Sequence, residues 1–251
     1  MLGLGVGFYK LSGKEYFPWT PNTVNPKTKG WYKPSKILSS GDGTAVTGWT
    51  DSSPEGNDLS QSGSENQGVL DDNAILFDGT ETGEGEEEVV GDHYDFASEI
   101  RVSSQEAFTL FMVLNLDDTT QQTLLGTASD AEFLEIQTNK RIRAKIDGTA
   151  TSQAYSSAIF PTDQKFILTF QRESGATGNF NVFIDGVLQT PSSQQANPGA
   201  IDFKVLGARS ESGEDRFLDG HVYEVIVYDT SDLTSSSIDR IHGYLKRQHS
   251  I

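Results

Sequence analysis

Short stretches in which apolar and polar residues alternate recur along most of the chain, and this alternation predicts β-strands with one buried face. The stretch FTLFMVLNL, residues 108–116, has apolar residues on both faces, which predicts a strand at the centre of a sheet. The stretch KFILTFQ places Phe166, Leu168 and Phe170 inward and Thr169 outward. A further strand, HVYEVIVYD, is predicted near the C-terminus.

Two hairpins are predicted from turn chemistry and alternation together. In NFNVFIDGVLQT, the pair Asp185-Gly186 tolerates the positive φ that a two-residue hairpin turn requires. The stretch FLEIQTNKRIRAKI predicts a second hairpin, whose inward residues are Leu134, Ile136, Ile142, Ala144 and Ile146. Many short strands and frequent turns, without a repeating strand–helix alternation, predict an all-β sandwich of two antiparallel sheets.

The only helical pattern lies at the C-terminus, in residues 235–248. Ile238, Ile241 and Leu245 form one apolar stripe, which predicts a helix lying on the sandwich. Ser235 or Ser236 is expected to cap its first turn. Residues 1–30 are rich in Gly, Pro, Asn, Thr and Lys without sustained periodicity, so we expect an extended N-terminal attachment arm followed by a sandwich over residues 31–251.

Composition narrows the classes of function. The formal net charge is −17. Nucleic-acid binding depends on basic side chains that contact phosphates, so nucleic acid is not an expected partner. The chain has no cysteine, which excludes disulfides and a thiol nucleophile. No apolar run is long enough to span a membrane, and the N-terminus lacks the basic start of a signal peptide.

Four segments in order carry a resemblance to a known family: GWTDSSPEGNDLSQSG, AILFDGT, FTLFMVLNL and DGHVYEVIVYDTSDLTSSSIDRIHGYL. With its tryptophan, Asp-Ser turn, Phe-Asp-Gly, Gly-x-x-x-Glu strand and closing Tyr-Leu helix, the chain resembles the concanavalin A-like lectin/glucanase (laminin-G-like) superfamily over residues 31–248. The resemblance implies a two-sheet antiparallel jelly-roll sandwich. The Ser53–Gly56 turn differs from the family pattern, so this loop is expected to be reshaped.

Trp49 opens a polar, turn-rich segment and has two interpretations. In the resembling family this tryptophan is buried at the sandwich edge, with Asp51, Ser52 and Asn57 satisfying backbone groups in successive turns. The alternative is an exposed platform on which a sugar ring stacks. The first interpretation is favoured, because the loop has no second aromatic residue to hold a sugar.

No catalytic residue is predicted. Glucanases of the resembling superfamily carry Glu-x-Asp-x-Glu on one strand, and this triplet does not occur in the chain. The expectation is therefore a protein without enzymatic activity. The acidic segment EGEEEVVGDHYDF suggests Ca²⁺ as the one cofactor to consider, with Glu86, Glu88, Asp92 and Asp95 as candidate ligands. The alternative is a solvated acidic loop.

Apolar anchors in the arm and a basic strand are the predicted assembly contacts. On KRIRAKI the basic residues share the outward face, and Glu135 on the preceding strand faces the same way, so cross-strand pairing accounts for part of the pattern. The predicted contact residues are Leu2, Leu4, Phe8, Tyr9, Tyr16, Phe17, Arg141, Arg143 and Lys145. For the three basic residues of the strand, the favoured alternative is a solvated charged face.

These features predict a structural protein of a tailed-phage virion, since the opening MLGLGVGFYKLSG resembles the Gly-rich starts of such proteins. In this hypothesis the chain is a capsid decoration or a tail or fibre appendage, assembled in the host cytoplasm and located in the virion. Its partners would be other virion proteins, copies of itself and a host-surface glycan. The alternative is a free carbohydrate-binding lectin or adhesin.

Overall fold

The computed structural model describes residues 19–24, 28–79, 91–127, 132–209, 216–230 and 232–251. Seventeen strands are present in these residues: β1 Thr28–Tyr32, β2 Ile37–Leu38, β3 Gly48–Trp49, β4 Leu59–Ser60, β5 Val69–Asp71, β6 Ala74–Asp78, β7 Tyr94–Val102, β8 Ala107–Leu116, β9 Gln122–Gly126, β10 Phe133–Thr138, β11 Arg141–Ile146, β12 Thr149–Ala154, β13 Phe166–Arg172, β14 Phe180–Ile184, β15 Val187–Leu188, β16 Ile201–Leu206 and β17 Asp219–Thr230. They are followed by the helix α1, Ser235–His249.

The strands form two antiparallel sheets that pack as a sandwich, which confirms the predicted fold class. The eight-stranded sheet has the order β15-β14-β13-β8-β17-β6-β5, and β1 also pairs with β17. The nine-stranded sheet has the order β12-β11-β10-β9-β16-β7-β4-β3-β2. The largest apolar cluster lies between the sheets and contains the inward residues of the predicted β10–β11 hairpin.

Strand β8 has the predicted central position, between β13 and β17. One of its faces, which includes Met112, belongs to the core between the sheets. Its other face, with Phe111 and Val113, lies in a second apolar cluster that includes Ile241 and Leu245 of α1. Because α1 covers this face, Thr169 on β13 is buried rather than outward in solvent as the alternation predicted, and its Oγ1 lies 2.8 Å from His242 Nε2.

Turn chemistry explains the hairpins. Asp185 and Gly186 both have positive φ, at 51° and 82°, and join β14 to β15 as predicted. Asp147-Gly148 joins β11 to β12 with the same chemistry. These two Asp-Gly pairs form hairpin turns, whereas Asp219-Gly220 lies within β17, so the dipeptide alone does not identify a turn in this chain.

Helix α1 lies over residues 235–249, close to the predicted 235–248. Its N-cap is Thr234, whose Oγ1 accepts a hydrogen bond from the Ser237 backbone N at 3.2 Å, so the expected cap at Ser235 or Ser236 is wrong by one or two positions. Thr234 is the residue with extended backbone, which an N-cap requires.

The boundary of the sandwich lies before residue 31 in the structure. Strand β1 begins at Thr28 and pairs with β17, and the Trp19 ring lies 6.0 Å from that of Tyr244 on α1. The carbonyl of Pro21 accepts a hydrogen bond from Tyr228 Oη at 3.0 Å. Residues 1–18 lie outside the described residues, and the arm stays a prediction there.

Candidate functional site

A β-bulge in β17 places two consecutive side chains on the helix-covered face of the eight-stranded sheet. Val222 pairs with Leu114 and Glu224 pairs with Val113, so Tyr223 is the extra residue between them. Gly220 has a φ of +131°, and a Cβ there would collide with the backbone of Asn115 and Leu116. The Gly-x-x-x-Glu pattern thus has a structural cause: the glycine permits the close strand approach, and the bulge presents the glutamate.

Glu224 is fully buried and accepts hydrogen bonds that join three separate elements. Its Oε1 accepts from Trp31 Nε1 at 2.7 Å and from Tyr244 Oη at 2.9 Å. Its Oε2 lies 2.7 Å from His249 Nε2. Burial, and then the Glu224 carboxylate, raise the pKa of Tyr244 well above its usual range. The carboxylate therefore fixes β1 and the end of α1 against β17.

A cleft of about 600 Å³ opens beside this carboxylate. Its walls come from β1 and the short 3₁₀ turn after it, the β5–β6 turn, the start of β13, the bulge of β17 and the end of α1. The residues that line it are Trp31, Lys33, Pro34, Ser35, Asp72, Asn73, Lys165, Tyr223, Tyr244, Gln248, His249 and Ser250. This volume is in the range of small-molecule sites, and three aromatic residues line it together with several polar groups. We call it the helix-end cleft.

Two lysines lie over aromatic rings of the helix-end cleft. Lys33 Nζ is 4.5 Å from the centre of the Trp31 ring, and Lys165 Nζ is 4.1 Å from that of Tyr223. Lys165 also pairs with Asp72 at 2.9 Å, and this hydrogen bond lowers the pKa of the Asp72 carboxyl. Burial, followed by the charge of Asp72, raises the pKa of Tyr223 to about 12. The cleft thus offers ammonium donors, a carboxylate acceptor and aromatic surface within a small volume.

Trp49 is fully buried, which confirms the structural interpretation. Its ring lies 5.9 Å from that of Tyr32, and its Nε1 donates to the Lys33 carbonyl at 2.8 Å. Asp51 organises the following loop, because its carboxylate accepts from the backbone N of Trp31, Ser53 and Asn57, at 2.8, 2.7 and 2.8 Å.

Asn57 and Ser52 make further hydrogen bonds in the loop that Asp51 organises. Asn57 exchanges two hydrogen bonds with the backbone of Ser98, at 2.7 and 2.8 Å. The Ser52 backbone N donates to the Trp31 carbonyl at 2.7 Å. The Ser52 hydroxyl, however, has no hydrogen-bond partner in the described part of the chain, so the expected side-chain role of this serine is wrong.

The candidate Ca²⁺ ligands are only partly described. Asp92 is buried and accepts a hydrogen bond from the Asp78 backbone N at 3.0 Å. Burial raises the pKa of Asp92 to about 6, against the lowering effect of that hydrogen bond. Asp95 lies on β7, and Glu86 and Glu88 lie outside the described residues. Within the described ranges, no group of three or more Asp, Glu, His or Cys side chains has the arrangement of a metal site.

The predicted assembly residues fall into two sets. Leu2, Leu4, Phe8, Tyr9, Tyr16 and Phe17 lie outside the described residues. Arg141, Arg143 and Lys145 lie on β11, where Arg143 is the direct cross-strand partner of Glu135, with 3.4 Å between their charged groups. The predicted cross-strand pairing is therefore confirmed.

No residue of the helix-end cleft was predicted as a binding residue from the sequence. A signal was present: Glu224 is a single carboxylate within a run of aromatic and β-branched residues, Tyr223 to Tyr228. A carboxylate at such a position has two options. A break in the alternation can expose it to solvent, or it can be buried with hydrogen-bond donors around it. The donors lie about 190 residues before Glu224, at Trp31, and on α1, and only the fold brings them together.

Comparisons with known proteins show the fold. No protein-family model and no curated protein sequence matches the chain. Among solved structures, it is similar to Trypanosoma rangeli sialidase in complex with sialic acid, at 16% identity and a TM-score of 0.52, over 88% of this chain and 33% of the sialidase. It is also similar to domain 4 of AbnA, a GH43 extracellular arabinanase from Geobacillus stearothermophilus in complex with arabinotriose. That match has 18% identity and a TM-score of 0.51, over 86% of this chain and 98% of the domain.

These structures correct one prediction. The chain was expected to lack enzymatic activity, and the comparisons contradict this expectation because the matched structures belong to glycosidases. At this level of identity the likeness establishes the shared sandwich fold, and the chain spans a third of the sialidase. The structural neighbours are thus domains of carbohydrate-active proteins. In the described residues, no helix is both long and apolar enough to cross a membrane.

Proposed function

We propose that this chain is a carbohydrate-binding module and that the helix-end cleft is its binding site. The observation that carries the proposal is the cleft itself, in which the half-buried Tyr244 supplies aromatic surface and two lysines, which lie over the buried rings of Trp31 and Tyr223, supply donors. Aromatic side chains with polar ends suit ligands that have both apolar faces and hydroxyl groups, as sugars do. The carbohydrate-active structural neighbours support the same class of ligand.

Glu224 supports the proposal because it makes the cleft rigid. The rings of Trp31 and Tyr244 meet edge to face, with centres 6.1 Å apart, and both donate to Glu224 Oε1. A site whose aromatic residues are already fixed loses less conformational entropy when a ligand binds. The aromatic residues of the cleft are therefore preorganised for ligand binding.

Titration of the full chain with sugars tests this function. Arabinotriose and sialic acid are the first probes, since they are the ligands in the two matched structures. Isothermal titration calorimetry of Lys33→Ala and Lys165→Ala should show affinities about tenfold weaker than that of the native chain, because each loses a charged donor in the cleft. Lys36→Ala, an exposed lysine close to Lys33 in the chain but not lining the cleft, is the matched control.

Two results would contradict the proposal. One is the absence of measurable binding across a panel of neutral and acidic oligosaccharides. The other is binding that the Lys33 and Lys165 variants leave unchanged, which would place the sugar elsewhere on the sandwich.

The virion role is a separate proposal, and the N-terminal sequence supports it. In this proposal residues 1–18 attach the sandwich to a phage particle, and the sandwich is displayed for contact with a host glycan. Mass spectrometry of purified particles of a phage that encodes the chain tests this. Absence of the chain from such particles would leave the free lectin or adhesin as the alternative.

A further inference from the structure

The outer face of the nine-stranded sheet carries a concentration of positive charge that contrasts with the rest of the chain. The chain has 36 acidic and 19 basic residues. Five of the basic residues lie around Phe133 and Glu135 of β10 or along the adjacent strand: Arg141, Arg143, Lys145, Arg209 and Arg216. We call this set the arginine face.

Glu135 is the carboxylate at the centre of the arginine face, and it is fully buried. Arg209 binds its Oε2 through Nη2 at 2.7 Å and Nε at 3.2 Å. Arg143 reaches Oε1 at 3.4 Å, and Arg216 reaches Oε2 at 3.7 Å. Within the described residues, the Glu135 carboxylate thus contacts three guanidinium groups.

Arg143 and Arg216 keep capacity for a further anion. Their distances to Glu135 exceed the usual charge-assisted range of about 2.7–2.9 Å. Their side chains are 27% and 31% exposed, and each guanidinium has five N–H donors in a fixed plane. Donors of both residues thus remain accessible on the solvent side of Glu135.

The backbone at Arg216 is strained. Its φ is 125°, in a region that residues other than glycine avoid. The same residue is fixed by its carbonyl, which accepts from the Thr123 backbone N at 3.0 Å. Strained residues of this kind concentrate at functional sites. Here the residue whose backbone is held in place is one of the two half-buried arginines that contact Glu135.

An open depression of about 580 Å³ adjoins the arginine face. Gln121 and Gln137 belong to its lining, and Gln121 Nε2 also donates to Glu135 Oε1 at 3.0 Å, so the two features are continuous. The other lining residues are Asp117, Asp118, Thr119, Thr120, Thr138, Asn139 and Thr162. Hydroxyl and amide groups predominate in this set, and they can donate to and accept from sugar hydroxyls.

We propose that the arginine face and the adjoining depression form a second binding site, for an acidic glycan. An anionic substituent on a sugar, either a carboxylate or a sulfate ester, binds between Arg143 and Arg216, and the neighbouring sugar units lie in the depression. A second copy of this chain fits less well, because two molecules of net charge −17 repel each other. The site is independent of the helix-end cleft, which lies on the other sheet.

The test uses the full chain and three oligosaccharides of equal length. Oligogalacturonate provides carboxylates, a carrageenan oligosaccharide provides sulfates, and a maltooligosaccharide is the neutral control. Calorimetry should show binding of at least one acidic probe that weakens strongly with added salt, because partly exposed ion pairs are screened. The neutral probe should not compete for the site. Which acidic probe binds more tightly identifies the anionic group.

Substitutions locate the site. Arg143→Gln and Arg216→Gln should each weaken acidic-glycan binding about tenfold. Arg101→Gln is the matched control, since Arg101 lies on β7 of the same sheet and pairs with Glu99 and Asp202. If melting curves show that the Arg143 variant unfolds, the exposed Arg141→Gln gives the same test without disturbing Glu135, and a severalfold loss is expected.

Three outcomes would overturn the proposal: no binding of either acidic probe at low salt, equal losses in the Arg101 and Arg143 variants, or a poly-glutamate peptide that binds as tightly as the acidic glycans. The last would show a surface that recognises charge alone. The Lys33 and Lys165 variants of the helix-end cleft should leave binding of the oligogalacturonate and carrageenan probes unchanged. The Arg143 and Arg216 variants should leave binding of the neutral arabinotriose unchanged, so failure at one site can be distinguished from failure at the other.

Discussion

The side chain of Glu224 can be replaced in two ways that separate its hydrogen bonding from its shape. Glu224→Leu removes the acceptor for Trp31, Tyr244 and His249 and leaves an apolar side chain of similar size. Glu224→Gln keeps one carbonyl oxygen in place for Trp31 and Tyr244. Its amide can donate to His249 Nε2 when that nitrogen carries no proton. We therefore expect the leucine variant to be much less stable than the glutamine variant.

The magnitude follows from the burial of each donor. A buried donor without a partner costs about 1–3 kcal/mol. Trp31 and His249 are buried, so an unpaired group on either bears most of this cost, whereas Tyr244 is half-buried and can be partly rehydrated. Removal of the buried carboxylate returns part of its own desolvation cost. The net loss expected for Glu224→Leu is about 2–3 kcal/mol, or about 4–12 °C in melting temperature for a chain of this size.

Thermal unfolding followed by circular dichroism compares the melting temperatures of the two variants. Urea unfolding compares their free energies of unfolding. The glutamine variant should lose less than about 1 kcal/mol, comparable to one ordinary hydrogen bond. Equal losses for the two variants would show that the charge of Glu224, and not its hydrogen bonds, stabilises the cleft. A leucine variant as stable as the native chain would refute the argument that this carboxylate joins β1 and α1 to β17.

Three further predictions test other parts of the structure. Trp49→Ala should destabilise by about 3–5 kcal/mol, because it removes a fully buried aromatic ring; an unchanged melting curve would contradict its core position. Burial lowers the pKa of His242 to about 4, below the value of 6.5 in the unfolded chain. As the pH drops from 6.5 to 4, the unfolded state therefore binds the proton before the folded state does, and the free energy of unfolding falls by up to about 3 kcal/mol. His242→Gln should lack this component in urea titrations across that pH range, and identical pH profiles would exclude it. Gly220→Ala should cost at least about 1 kcal/mol, through strain at positive φ and collision with Asn115, whereas Gly43→Ala, at positive φ in open space, should show the strain alone.

Local signals in the sequence predicted the parts of the fold that depend on local chemistry. The β10–β11 and β14–β15 hairpins combine period-two alternation with turn residues, and both ingredients lie within about 14 consecutive residues. The apolar stripe of Ile238, Ile241 and Leu245 likewise predicts α1 from local sequence alone. The N-cap was misplaced because Thr234, Ser235 and Ser236 are chemically equivalent caps, and the backbone conformation of the preceding loop selects among them.

The candidate sites depend on contacts between distant residues, and this is why the sequence did not show them. Strand β1 has little alternation of its own, and its partner β17 lies almost two hundred residues later. The side-chain direction of Glu224 depends on a bulge, which shifts every later residue of β17 to the opposite face from the one that simple alternation gives. Periodicity alone cannot locate such a bulge.

The two proposed sites share one arrangement, in which cations lie against aromatic rings. Five contacts of a cation with an aromatic ring occur in the described residues, and all of them lie at these sites: Lys33 on Trp31 and Lys165 on Tyr223 in the helix-end cleft, and Arg143, Lys145 and Arg209 on Phe133 at the arginine face. The electron-rich face of an aromatic ring attracts a cation and holds it next to apolar surface. Three of these cations also pair with a carboxylate, Lys165 with Asp72 and both Arg143 and Arg209 with Glu135, so at these positions the ring contact adds to an ion pair. Cations held in this way can donate to the hydroxyl and anionic groups of a sugar while the nearby ring excludes water, so both proposed sites have the same physical basis for binding this class of ligand.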